Sequence, residues 1–296
     1  MVPPSPRSAP WSSSWKPSWA DMALPAREAF FLEAPLGGRF CLLTRAQGPV
    51  RGTILHVPAF AEEQNKSRRM VALAAQAFAA RGWTVLQLDL LGCGDSAGEL
   101  VDASWSQWVE DVGLGHAFLS ARGSGPVVLW THRAGSLLAA DWLKLAGARL
   151  PLLLWQPVTN GRQHLSQFLR LKAASEMLSD ADAKTALARA RAALHAGEVV
   201  EVAGYELSPE LANGMEASSF ELPASGGYAV AMLEVDGSGR TAPSPALAAL
   251  RARLEAQGAT VSLEKVTGPA FWQTQEIELA PELIERSCHV LEVLGR

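Results

Sequence analysis

The stretch "LWTHRAGSLLAA", residues 129–140, decides the architecture. Leu129 and Trp130 read as the end of a buried strand, Gly135 to Ala140 opens an apolar helix, and only a tight turn fits between them. A strand that bends sharply into a helix exposes the residue at its apex. When that residue is a nucleophilic serine, the turn reads Gly-x-Ser-x-Gly. Here the same places are held by Thr131, His132, Arg133, Ala134 and Gly135, so an arginine stands at the apex.

Outward from this turn, from about residue 28, apolar β-rich runs alternate with segments of helical period. Strands are expected at Glu28 to Glu33, Phe40 to Arg45, Thr53 to Val57, Thr84 to Asp89, Val127 to Thr131, Leu152 to Gln156, Tyr228 to Val235 and Val261 to Val266. Gly37-Gly38 signals a hairpin between the first two. Helices are expected at about Arg68 to Ala80, Ser104 to Ser120, Gly135 to Ala146, Pro245 to Ala256 and Ala280 to Leu294, the second opened by a Ser104/Gln107 capping box. The pattern predicts an α/β fold: an eight-stranded, mostly parallel sheet with helices on both faces. Residues 158–223 break the alternation with Ala-rich helical sequence (Ala181 to His195) and no strand ladder, and read as a helical lid insertion over the carboxyl ends of the strands. Residues 28–296 read as one domain behind a disordered leader, 1–27, whose Trp11, Trp15 and Trp19 either pack loosely on the body or engage a partner.

Composition narrows the function. With 296 residues, 48% of them hydrophobic, the chain can bury a sizeable core, and a net charge of −4 with no basic stripe argues against nucleic-acid binding. Cys41, Cys93 and Cys288 are odd in number and widely spaced, which favours neither a disulfide framework nor a zinc site. No metal and no cofactor are expected. No apolar run is long enough to span a membrane, and a cytoplasmic location is the expectation.

Three loops carry a resemblance. "HVPAFAEEQNKSRR", residues 56–69, follows the third strand; "DLLGCGDSAG", residues 89–98, follows the fourth; the third loop is the Arg133 turn. Together with the lid position they resemble the α/β-hydrolases. The strings "PAFAEEQNKSRRMVALAAQ", "LQLDLLGCGDSAG", "LLLWQPVTNGRQHLSQFLRL" and "VEVAGYELSPELA" resemble, more specifically, the family called exosortase A system-associated hydrolase 2. That resemblance implies a setting in exopolysaccharide production and protein sorting to the cell envelope, with an ester or thioester of a precursor as substrate. It also implies that backbone N–H groups around Ala59, Phe60 and Ala134 form an oxyanion hole.

The residues fit hydrolysis poorly. A guanidinium stays protonated and has no lone pair with which to attack, so Arg133 cannot be the nucleophile. Ser136 lies inside the helix and Thr131 on the strand. The place of the catalytic histidine, after the last strand, reads "VTGPAFWQ", residues 266–273, and His289 lies within the final helix. Glu234 and Asp236 stand near the place of the acid. His132 and His56 are the remaining candidates for acid–base work or polarisation, against the plainer reading of core histidines. Cys93 reads as a turn residue, and Gly92-Cys93-Gly94 mimics a dinucleotide fingerprint without the helix that such a fingerprint requires. Arg133, beside a helix N-terminus and near Glu62, Glu63, Lys66, Arg68 and Arg69, is expected either to bind an anionic ligand or to be plugged by Glu62 or Glu63. Two functions follow: an unconventional hydrolase, or a non-catalytic module holding an anionic small molecule, polysaccharide precursor or partner segment.

Overall fold

In the computed structural model, residues 24–123, 125–175, 180–223 and 227–295 are described; the leader expected at 1–27 lies almost wholly outside them. The chain forms β1 (Arg27–Leu32), β2 (Arg39–Thr44) and β3 (Gly52–Val57), then α1 (Glu62–Ala79), β4 (Trp83–Leu88), α2 (Trp105–Arg122), β5 (Val127–His132), α3 (Gly135–Ala146) and β6 (Leu152–Trp155). An inserted stretch follows: α4 (Gly161–Ser175), α5 (Asp180–His195), β7 (Val200–Val202), β8 (Tyr205–Leu207) and α6 (Pro209–Ala217). The alternation resumes with β9 (Ala229–Asp236), α7 (Pro245–Ala256), β10 (Thr260–Thr267) and α8 (Pro281–Leu294).

Eight strands pair in the order β1-β2-β4-β3-β5-β6-β9-β10. Both pairings of β2 are antiparallel and the rest are parallel. All eight expected strands are present. Successive side chains leave a strand on opposite faces, and both faces here are covered. Ile54 packs with α1 and α8, whereas Leu55, next to it, packs with α2 and α3. A strand with both faces buried shows no polar alternation, which is why β3 reads as an unbroken buried run.

Three local expectations are corrected. First, α1 begins at Glu62, not Arg68; its first two turns are polar because they border the crevice, where Gln64 and Ser67 are buried but apolar periodicity is absent. Second, the insert holds a strand pair, β7 with β8. Each strand has only three residues, too few for alternation to register, and they are joined through Ala203 and Gly204, both at positive φ, as a primed hairpin turn requires. Third, Ser104 Oγ accepts from the Gln107 N–H at 3.2 Å, but the Gln107 side chain turns to Glu110, so only half of the capping box forms.

An ion pair within the scaffold was not evident in the sequence. Arg39 on β2 and Asp111 on α2 are fully buried and meet at 2.8 Å. The guanidinium also donates to the carbonyls of Gly37 and Pro35, and the other Asp111 oxygen accepts from the Leu91 N–H. Every side of this pair is hydrogen-bonded.

Candidate functional site: the arginine elbow and its cavity

Between β5 and α3 the chain turns on Arg133 and Ala134. Arg133 has φ 52°, a left-handed conformation that costs a residue with a Cβ about 1 kcal/mol or more. The turn is held by its neighbours. The Arg133 N–H donates to Trp155 O at 3.0 Å, and its carbonyl accepts from the Val158 N–H at 3.3 Å and from Ser136 Oγ at 2.8 Å. Gly135 permits the bend, because a Cβ there would lie 2.4 Å from Val57 O and 2.6 Å from Pro58 O. Ser136 is fully buried, its hydroxyl directed at the Arg133 and Val158 carbonyls rather than at the crevice.

The Arg133 side chain crosses to α1. Its Nε and Nη2 both donate to Glu63 Oε1, at 3.0 and 2.9 Å. On its other side the guanidinium lies 5.5 Å from the centre of the Trp272 ring, within cation–π range. Glu63 is therefore the plug anticipated for this arginine, and Glu62 is not. Consecutive residues on a helix point about 100° apart, and Glu62 faces Lys66 at 3.3 Å and the Tyr205 hydroxyl instead. Arg68 does not reach Arg133 either. It pairs with Asp89, whose carboxyl is pushed up by burial against the opposing pull of that guanidinium. Of the two roles expected for Arg133, the contact present is that of the plug: a carboxylate already neutralises it.

The other candidates separate. His132 is fully buried, stacked on Phe271 at 5.3 Å and edge-on to Trp272; burial, then Arg133 and His56, hold its pKa well below the usual range. His56 packs on Trp130 at 4.5 Å, and burial, with Arg68 adding, lowers its pKa to about 3. Both are neutral at pH 7. His56 and His132 line a small cavity of about 30 Å³ together with Pro58, Ala59, Gln64 and Ser67. Asp236 is half-buried at the end of β9 and bonded to Lys265 and Ser238, which hold its carboxyl below the usual range. Glu234 accepts from the Ser244 N–H at the start of α7. Neither carboxylate approaches a histidine. The Cys93 thiol is pushed up to about 12, mainly by burial, which leaves it inactivated.

His164, on α4, was not singled out from the sequence. It is 5% exposed, and its Nε2 lies 3.8 Å from Glu63 Oε2. Burial lowers its pKa to about 4, opposed by Glu63 and reinforced by Arg133. The spacing of His164, Phe168 and Leu171 was the available signal, since it is the one-face spacing of a helix. Those side chains, with Phe60, Glu62, Glu63, Lys66, Gln167, Trp272 and Gln273, line a cavity of about 250 Å³ between α1, α4 and the loop after β10. Phe60 packs edge-on against Phe168 at 4.8 Å. The expected oxyanion-type residues Ala59, Phe60 and Ala134 are all buried around the turn. Among the described residues no cluster suited to a metal ion is present, and no helix is long and apolar enough to cross a membrane.

The parallel sheet, the sharp turn after β5 and the insert after β6 define an α/β-hydrolase fold. A family model described as "Serine aminopeptidase, S33" matches residues 48–193, which span β3 to α5 and include the turn. Solved structures share the fold. A thermostable carboxyl esterase from Bacillus coagulans aligns with TM-score 0.62 at 15% identity over 92% of this chain and 99% of that one. Est1E from Butyrivibrio proteoclasticus with ferulic acid bound gives 0.61 at 12% identity, covering 90% and 98%. An a/b serine hydrolase without lid from Xanthomonas campestris gives 0.52 at 13%, covering 90% and 92%. No curated protein matches the sequence.

Proposed function

We propose that this chain is a single-domain α/β-hydrolase relative with a lid, in which the crevice binds a ligand and does not hydrolyse it. One observation carries the reading: the apex of the nucleophile turn is a permanently protonated arginine, clamped by Glu63 at 2.9 Å. Two further features support it. Phe271 and Trp272 stand after β10, where a triad would need its histidine, and both are buried. Neither carboxylate at the end of β9 is aimed at an imidazole. The resemblance to the exosortase A system-associated family supports a ligand or partner segment drawn from exopolysaccharide or envelope-precursor chemistry, met in the cytoplasm.

A second reading keeps catalysis: hydrolysis of an ester or thioester of such a precursor, with polarisation by Arg133 and proton transfer by His164. It is favoured by one contact, the 3.8 Å approach of His164 Nε2 to Glu63 Oε2 at the cavity wall. A hydrolysis panel of p-nitrophenyl esters and acyl thioesters on purified protein separates the two. Binding alone predicts no turnover above buffer, unchanged by a serine-reactive phosphonate and by His164→Ala. Turnover that is lost in His164→Ala would establish the second reading.

A further inference from the structure

Resting on the ligand-binding reading, we infer that the cavity beside the elbow takes a neutral molecule: an apolar body bearing a hydroxyl or amide that donates and accepts hydrogen bonds at one point. The charges at the wall cancel in pairs. Glu62 lies 3.3 Å from Lys66, and Glu63 lies 2.9 Å from Arg133. A charged ligand would shed its hydration here without meeting an uncompensated opposite charge, which is unfavourable in a largely apolar cleft.

Four buried polar atoms on residues that line the cavity state what is needed. Glu63 Oε2, both ring nitrogens of His164 and Trp272 Nε1 are buried and make no hydrogen bond to another described residue. Native proteins rarely leave such atoms unmet, and several carried by the residues that line one cavity mark a place for a partner. Their chemistry is mixed. The carboxylate oxygen accepts, the indole N–H donates, and a neutral imidazole offers one donor and one acceptor. A hydroxyl satisfies an acceptor and a donor simultaneously; a carboxylate satisfies only donors, an ammonium only acceptors. The remaining wall, Phe60, Phe168 and Leu171, is apolar and suits a ring or short chain, and a cavity of about 250 Å³ limits the body to that size.

Calorimetry with three probes that share one body tests this at pH 7: 1-naphthylmethanol, 1-naphthoate and 1-naphthylmethylammonium, each titrated into the full chain. The alcohol is expected to bind at least ten-fold more tightly than either ion. His164→Phe should weaken the alcohol at least ten-fold, while His164→Gln, which keeps a donor and an acceptor, should stay within a few-fold of wild type. The inference is overturned if either ion binds as tightly as the alcohol, if none of the three binds, or if His164→Phe binds as wild type does. Should His164→Phe fail to fold, the order of the three probes on the wild type still decides. Addition of 1-naphthylmethyl acetate reads the parent proposal separately: its cleavage would remove the non-hydrolytic reading and leave the probe order standing.

Discussion

The arginine–carboxylate pairs Arg39–Asp111 and Arg133–Glu63 are built differently. Arg39 and Asp111 are closed: both are buried, three guanidinium nitrogens are engaged, and each carboxylate oxygen has a donor. Arg133 and Glu63 are half open. Both arginine contacts fall on Glu63 Oε1, while Oε2 lies 3.8 Å from His164 Nε2 and accepts no hydrogen bond from a described residue. A saturated network pins elements together, here β2 to α2. An unsaturated one beside a cavity keeps bonding capacity for a molecule that arrives from outside.

Among the substitutions, the largest effect should come from opening the closed pair. Arg39→Met leaves Asp111 buried without its cation, and urea unfolding should register a loss of about 3–5 kcal/mol. A loss below about 1 kcal/mol would break the contrast. Acid should act next, and on the elbow side. His56 and His164 have folded pKa values lowered to about 3 and about 4, and His132 is lowered as well. The unfolded chain takes up protons near pH 6.5 and the folded chain does not. Stability is therefore full above about pH 6.5 and falls as pH drops towards the folded values, by at most about 1.4 kcal/mol per pH unit for each histidine. Urea midpoints measured from pH 7.5 to 4.5 should show this decline, made shallower by His132→Phe. Glu63→Gln should cost less than Arg39→Met, about 2–3 kcal/mol, because the elbow pair keeps some solvent contact. Equal losses at the two pairs would erase the distinction between them. The smallest change is expected for Lys66→Ala, within about 0.5 kcal/mol, since Lys66 and Glu62 form a half-buried i,i+4 pair that keeps contact with solvent.

Much of the scaffold could be read in the chain. Gly135 to Ala146 and Pro245 to Ala256 start and stop where the helices do, because apolar period, glycine and proline act locally. The apex arginine could be read for the same reason: strand, turn and helix are contiguous. The residues that complete the site are not. Choosing Glu63 over Glu62 needs the phase of a helix whose first turns carry no apolar stripe. His164 comes from an insert that is remote in sequence and close only after packing. Trp272 was visible at the place of a missing histidine, but its position against Arg133 depends on how the loop after β10 folds. The Arg39–Asp111 pair left no mark either, since a single arginine in a strand reads as an exposed position until Asp111 is known to lie opposite.

The account turns on the half-open pair serving recognition and not merely cohesion. Replacing both members at once, Arg133→Met with Glu63→Met, removes the charges together, a change that buried pairs often tolerate with little loss of stability. The decisive quantity is the affinity of that folded double variant for 1-naphthylmethanol. A loss of at least ten-fold against wild type is the predicted result; unchanged affinity would contradict it.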